Sequence, residues 1–392
     1  MTLIWFTLTM VTGAIVAAGV LCLLFSQMSA WRHFTRALSI PMPQPAPSVS
    51  ILKPVEGAGP ETWEALKSFC QIDYPGPVQI LVGTLHQDDP VVPLVARLRE
   101  AFPQHDIRLI FAELRGANRK TSIMETLWRG ASGDYLFFSD ADVRVAPDYL
   151  VRLMPELTAP GVGCLTCLPR GLRADTLGGK VVALHYGFTY LPQWMLALRT
   201  TGIDWTIGHT MAVPRTVLER LDGFTGFLDH LADDYELGHR VAGLGLQVVL
   251  PPILVDCFMP RENLGAAFRR LLRWKRTMRR ARGAAFAGSA LTYPVFWAVV
   301  LVLLQPAAIW AWTTLAGVLT IRVLLAAWLQ AWVRLPDWRR SWGLLPLVDL
   351  LEGLTLLGAY TGHTVTWAGR RYRLQPDGTL KPGLDSRGGD QA

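Results

Sequence analysis

Two stretches without a single charged side chain limit what this chain can become. Residues 3–25 ("LIWFTLTMVTGAIVAAGVLCLLF") run for 23 residues and residues 283–321 for 39. A helix rises about 1.5 Å per residue, so about 20 apolar residues cross the ~30 Å hydrocarbon core of a bilayer. The remainder is different in kind. Of 392 residues, 51% are hydrophobic and 18% charged, too apolar for an ordinary soluble enzyme and too charged for a pure helix bundle. The expectation is a membrane-anchored protein with one sizeable domain outside the hydrocarbon.

The first run lacks the basic start and short apolar core of a cleaved signal peptide, and its basic residues, Arg32 and Arg36, come after it. It reads as a signal anchor over 1–28, and the positive-inside rule places the domain after it in the cytoplasm. In the second run, Pro306 and the tryptophans suggest two helices, 289–310 and 312–333, forming a transmembrane hairpin within 284–335. The stretch 342–368 carries Asp349 and Glu352 and is followed by "GRRYR". It either spans or lies re-entrant or interfacial, and a tail follows over 369–392. The net charge of +7 collects at 32–36, 269–282 and 370–373, each beside an apolar stretch. Such placement points to membrane topology and anionic headgroups. Nucleic acid is not expected, because no base-stacking platform accompanies the charge.

Between these segments, after a linker over 29–47 that ends "IPMPQPAP", residues 48–260 change character. "SVSILKP", "VQILVGTL", "RLIFAE" and "DYLFFSDADV" are β-branched or aromatic runs ending in polar residues, with helical patterns at 61–70 and 90–101 between them. Alternating strands and helices predict an α/β, Rossmann-like domain with a mostly parallel sheet. Ligands of such sheets sit beyond the carboxyl ends of the strands. Five scattered cysteines imply no disulfide framework. Cys164 and Cys167 in "GVGCLTCL" read as part of a buried strand, because no second ligand pair for zinc lies at a suitable spacing.

The acids at the strand ends carry the chemistry. In "FFSDADVRV" a buried strand runs into Asp140 and Asp142, which period-2 alternation points the same way. Two hard carboxylates side by side suit Mg2+ or Mn2+ bridging to a diphosphate. "HLADDYELG" brings Asp233 and Asp234 to the start of a helical pattern, where they either cap the helix or supply a general base. Over 269–280 the chain reads "RRLLRWKRTMRR", within a basic amphipathic interfacial helix expected over 261–283. Arg270 and Arg273, spaced i, i+3, share one face of that helix.

In order and spacing, "SILKPVEG", "GANRKTS", "FFSDADVRVAPD", "DDYELG" and "RLLRW" resemble the ceramide glucosyltransferase family, membrane-bound lipid glycosyltransferases of GT-A fold. The resemblance implies an inverting transfer of a sugar, glucose first, from a UDP-sugar to the primary hydroxyl of ceramide. It implies donor contacts from Glu56, Asn118, Lys120 and Asp140, metal held by Asp140 and Asp142, Asp234 as the base, and Arg270, Arg273 and Trp274 beside the diphosphate or acceptor. The first aspartate motif departs from the family: "LHQDDP" has His86 where an aspartate is expected, so the uridine contact falls to Asp88 or Asp89. "DWTIGHTMAVPR" resembles the strand before the last aspartate motif, where Trp205, Gly208, His209 and Asp233 adjoin the sugar or acceptor, although a satisfied core histidine suits His209 equally. The aromatic segment 185–196 is either lipid-facing or core. The remaining basic residues, Lys275, Arg276, Arg279, Arg280 and Arg282, are expected to meet headgroups. Hopanoid glycosyltransferases, which add an N-acetylhexosamine to a hopanoid lipid, share the same motif set. A non-catalytic polybasic membrane scaffold is the alternative of another class, and the retained carboxylates argue against it.

Overall fold

The computed structural model describes residues 2–37, 40–333, 335–336 and 338–383, so the last part of the expected tail, 384–392, lies outside the described residues. The strands are β1 (Val49–Pro54), β2 (Val78–Thr84), β3 (Asp106–Phe111), β4 (Tyr135–Phe138), β5 (Val143–Arg144), β6 (Val162–Thr166), β7 (Leu168–Leu172), β8 (Met211–Pro214), β9 (Gln247–Val249), β10 (Leu254–Phe258), β11 (Thr364–Trp367), β12 (Arg370–Leu374) and β13 (Leu380–Pro382). The four runs read as strands form β1 to β4, and the two helical patterns form Thr62–Cys70 and Val91–Ala101.

Seven strands make the central sheet, in the order β3-β2-β1-β4-β8-β6-β9. β1 pairs parallel with β2 and β4, β2 with β3, and β6 with β9, while β8 runs antiparallel between β4 and β6. The sheet is therefore mixed around β8. Every residue of β1 is buried, as expected of a strand covered on both faces. The alternation sorts its neighbours into two cores. Ile51, Phe69, Val82 and Phe137 pack on one face, and Leu52, Leu81, Met124 and Phe138 on the other. Phe137 and Phe138 are fully buried, each contributing about 1.5–3 kcal/mol of transfer free energy. They hold the end of β4 rigidly, and the acids follow directly.

The chain divides into two units. The α/β unit comprises Ala37–Pro169, Ile203–Phe258 and Arg370–Ala392; the other comprises Met1–Arg36, Arg170–Gly202 and Met259–Gly369. Residues 170–202, inside the stretch read as α/β domain, thus group with the membrane helices. Their helix Leu177–His185 buries residues on all its sides, so it has no polar face to give to water.

Among the described residues of the membrane unit three helices are long and apolar enough to cross a bilayer: Leu3–Phe34, Ile309–Trp332 and Arg339–Ala359. A fourth candidate, Leu264–Thr292 with Pro294–Leu304, is bent by 70°. The first helix of the expected hairpin, 289–310, is accordingly not continuous. Pro294 opens a separate 11-residue helix, because its ring cannot continue the preceding turn. The buried acids Asp349 and Glu352 of this unit are paired. The Arg322 guanidinium grips Asp349 with Nε and Nη2, at 2.8 and 2.9 Å, and caps the Phe188 carbonyl at 2.9 Å. That carbonyl lies in a π-helical turn, Tyr186–Tyr190, whose wider loop displaces backbone acceptors from regular partners.

Candidate active site

β4 hands the chain to Ser139 and Asp140 at the carboxyl end of the sheet. The Asp140 amide donates to the Gly208 carbonyl at 3.2 Å, which ties the loop before β8 against the aspartate turn. Across it stands the helix Arg119–Gly130, capped by Asn118, whose side chain accepts from the Thr121 amide at 3.0 Å. That cap aims the first turn inward. Lys120 Nζ lies 2.8 Å from Asp140 Oδ1 and 3.0 Å from Asp233 Oδ2.

The helix Asp233–Gly243 supplies the second acid pair. Gly238 lets it lie directly on the Trp205 and Thr206 backbone, since a Cβ there would collide with Trp205 Cα. Asp234 accepts from the Gly208 amide through Oδ2 at 3.1 Å and from the Tyr235 amide through Oδ1 at 2.8 Å. Neither acid caps the helix through its side chain in the ordinary way, the N-cap being Ala232. A Cβ on Gly208 would fall 2.8 Å from Lys120 Nζ and 2.9 Å from Asp140 Oδ2. A side chain there would have to push the lysine or the carboxylate aside.

The electrostatics follow from this crowding. Burial disfavours the Lys120 ammonium, but Asp140, Asp233 and Asp234 overcome it and hold its pKa above the ordinary value. Burial would raise Asp140, yet Lys120 holds it below the usual carboxylate range. Asp234 is pushed up to about 6, first by burial and then by the charge of Asp233. Burial lowers the His209 imidazole against the pull of Asp140 and Asp142, and Asp142 shares the field of Asp140, His209 and Lys53.

Lys53 was missed by sequence reasoning, although a lone lysine inside the apolar run of β1 was the available signal. It is wholly buried, donates to the Asp140 carbonyl and to Ser139 Oγ, and lies 4.2 Å from the Phe69 ring centroid. Burial pushes its pKa down to about 7. Arg119 was missed as well; it forms an ion pair with Glu56 and reaches His86 Nε2 at 3.0 Å. Of the two "HQDDP" acids, Asp89 is buried and Asp88 exposed. Asp89 accepts from the Val91 and Gly57 amides and from Thr84 Oγ1, at 2.8, 2.9 and 2.9 Å. Trp205 is buried and His209 half-exposed.

Asp140, Asp142, Lys120, Gly208, His209, Asp233 and Asp234 thus meet in one place within the α/β unit. The basic motif belongs to the membrane unit. There Arg270 pairs with Glu262 at 3.0 Å, and Trp274 stacks on His185 and Tyr186, with centroids 5.6 and 5.8 Å away. Three of the cations assigned to headgroups are spent internally. Lys275 is buried against Glu352 at 2.7 Å and bonds Tyr293; Arg276 donates to the Thr361 and Thr364 carbonyls, both at 2.6 Å; Arg280 meets His363. A helix packed on its own neighbours finds carbonyls and carboxylates nearer than lipid phosphate.

A sheet of this order, with paired acids where β4 ends, is of GT-A type. The mannosyltransferase PcManGT of Pyrobaculum calidifontis, solved with GDP-Man and Mn2+, shares the fold at a TM-score of 0.52 and 22% identity, over 89% of this chain and 99% of that one. The chain belongs to glycosyl transferase family 21, which matches residues 11–380. A ceramide glucosyltransferase of Gibberella zeae is 27% identical over 168 residues, 40% of this chain and 31% of that protein. An N-acetylglucosaminyltransferase of Bradyrhizobium diazoefficiens is 24% identical over 242 residues, 59% of this chain and 49% of that protein. The matched stretches span less than half the length of either relative.

Proposed function

We propose that this protein is an inverting, UDP-sugar-dependent glycosyltransferase of a membrane, with its α/β unit facing the cytoplasm. It moves glucose onto the primary hydroxyl of a lipid, ceramide being the acceptor that the family suggests. The observation that carries this reading is the meeting of four carboxylates beyond the strand ends, with Lys120 pairing two of them and Lys53 bonded to the backbone beneath. Such a cluster is short of positive charge and suits a divalent cation with a diphosphate.

The residues fit that cation. Among the described residues no three His, Cys, Asp or Glu side chains are arranged to hold a metal by themselves. Mg2+ typically takes one or two carboxylates and completes its shell with water and substrate phosphate, and Asp140 and Asp142 are that pair. Bound there, Mg2+ or Mn2+ supplies Lewis-acid neutralisation of the charge that develops on the departing diphosphate. Asp234 accepts the proton of the lipid hydroxyl, held in place by its bonds to the Gly208 and Tyr235 amides. The hydroxyl attacks the anomeric carbon opposite the UDP, so an α-linked donor gives a β-linked product. Arg270 and Arg273 are assigned to the diphosphate, and Trp274 to the acceptor or sugar, on the strength of the family motif. Glu56, Asn118 and one of Asp88 and Asp89 are assigned to the donor side on the same ground.

A second reading changes the substrates and keeps the site: N-acetylglucosamine moved onto a hopanoid-type lipid. The Bradyrhizobium relative, an N-acetylglucosaminyltransferase by name, supports the sugar of this reading and carries no information on the lipid. Mass spectrometry of lipids from cells with and without the gene separates the two, by a new hexosylceramide or a new hexosaminyl lipid. Within the site, Asp234→Asn is expected to lower transfer by ~10²–10⁴-fold with UDP-sugar binding retained. Asp140→Asn is expected to lose metal-dependent donor binding instead. Normal turnover by Asp234→Asn sinks the assignment of the base.

A further inference from the structure

The residues after the last membrane helix return to the α/β unit. β12 and β13 form an antiparallel hairpin, with Leu374 opposite Leu380 and Tyr372 opposite Pro382. Its turn, "LQPDGTL", is written in the sequence: Pro376 suits the first corner, Gly378 takes φ +85°, and Asp377 accepts from the Thr379 amide and hydroxyl at 3.0 and 2.7 Å. Tyr372, Leu374 and Leu380 are buried. The tip of the hairpin pairs with the segment just upstream of the second acid pair. The Leu231 amide donates to the Gly378 carbonyl at 3.2 Å, the Leu380 amide to the Asp229 carbonyl at 2.8 Å, and His230 bridges Thr379. The same segment is held from its other side. Asn118 Nδ2 donates to the His230 carbonyl at 2.7 Å, and the Ala117 amide to Asp229 Oδ1 at 2.7 Å. Residues 229–231 are therefore clamped between the loop that delivers Lys120 and the hairpin, two residues before Asp233.

We propose that the 370–382 hairpin is a positioning element of the transfer site: it fixes the 229–231 segment and, through it, the placement of Asp233 and Asp234. The pairing also constrains topology. Phe258 and Arg370 both belong to the α/β unit, so the chain crosses the bilayer an even number of times between them. The hairpin and the α/β unit share one side of the membrane, and the basic "GRRYR" does not lie on the far side. The two helices that pass for spans in that interval, Ile309–Trp332 and Arg339–Ala359, make an even number by themselves, so the bent pair then enters the bilayer without crossing it.

The positioning role rests on the transferase reading above; the pairing itself does not. The test compares Gly378→Val with Gly378→Asn in the full chain in lipid nanodiscs. A Cβ at this position meets only His230 Cδ2, at 3.7 Å, so space admits both, while positive φ is tolerated by Asn and not by a β-branched residue. Hydrogen exchange over 228–236 is expected to quicken in the Val variant and to stay protected in the Asn variant. Transfer is expected to fall on the order of 10²-fold in the Val variant, as for a misplacement of about 1 Å, with the UDP-sugar KM unchanged and activity kept in Asn. Unchanged exchange in the Val variant overturns the pairing; faster exchange with unchanged transfer overturns the positioning role. A wild-type chain that transfers no sugar sinks the reading of the site and leaves exchange alone to decide the hairpin. For the side of the membrane, the exposed positions Gln104→Cys and Lys381→Cys are labelled with an impermeant maleimide in sealed vesicles. Both react or both are protected; one of each refutes the shared side.

Discussion

Two charged clusters in this molecule are built from the same kinds of residue and do opposite things. In the membrane unit, Glu352 is fully buried between Lys275 and His185, at 2.7 Å from each, and Asp349 is matched by Arg322. Both of these acids have a base. In the α/β unit, Lys120 pairs with Asp140 and Asp233 but makes no ion pair with Asp142 or Asp234. Buried Lys53 donates to the Asp140 carbonyl rather than to a carboxylate, and Asp140 is left 29% exposed. The first arrangement holds helices together where water cannot serve. The second has charge to spare and an opening through which a cation and a diphosphate can enter. Buried and balanced charge is structure; half-open and unbalanced charge is chemistry.

The largest effect that separates the two clusters is on stability. Lys275→Met leaves Glu352 with His185 alone in a dry site, and breaking such a pair costs about 3–5 kcal/mol. Thermal unfolding in detergent is expected to drop accordingly, and added Mg2+ is expected not to restore it. Lys120→Met removes the lysine shared by Asp140 and Asp233, at a cost of about 1–3 kcal/mol, since Asp140 is part-exposed to water although Asp233 is buried. Here added Mg2+ or Mn2+ is expected to raise the unfolding temperature more than it does in the wild type, since the freed acids can take the cation. If metal rescues both variants equally, or neither, the contrast between the clusters fails.

These two lysines also show what the sequence made legible. The strand runs gave β1 to β4 at nearly their true limits, and the "SDAD" and "ADDY" acids stood out because a hydrophobic strand or a helix start delivered them. Those are local signals, fixed by side-chain alternation and capping within about ten residues. The partners of Lys275 were not legible, because Glu352 lies 77 positions further on (352 less 275). Only packing brings it there, and a basic run read by itself points to headgroups. The same holds for 170–202 and 370–382, whose own patterns do not say which unit they join. Lys53 was readable in principle, as a charge in a strand with no exposed face.

A smaller effect probes the unbalanced site through protons. Asp234 acts as a base only when ionised, and its pKa stands at about 6. Transfer is therefore expected to be full above pH 7 and to fall as pH drops through about 6, by about ten-fold for each further unit. The slope should vanish from the residual activity of Asp234→Asn. A wild-type profile flat down to pH 4.5 would falsify this assignment, whatever the role of the neighbouring acids.

The smallest expected effect applies the same contrast to two adjacent residues. Asp89 is the balanced one: three donors occupy its carboxylate and tie the Gly57 loop to the end of β2. Asp88 is exposed. If spent charge is structural and spare charge is functional, Asp88→Ala leaves the unfolding temperature nearly unchanged, within about 0.5 kcal/mol, and weakens UDP binding by the worth of one hydrogen bond, about 0.5–1.5 kcal/mol or up to roughly ten-fold. Calorimetric titration with UDP and Mn2+ measures it. Asp89→Ala should do the reverse, lowering stability while those molecules that remain folded bind UDP as before. Should Asp89→Ala lose UDP without losing stability, the uridine contact belongs to the buried acid, and spent charge can no longer be read as structural at this end of the sheet.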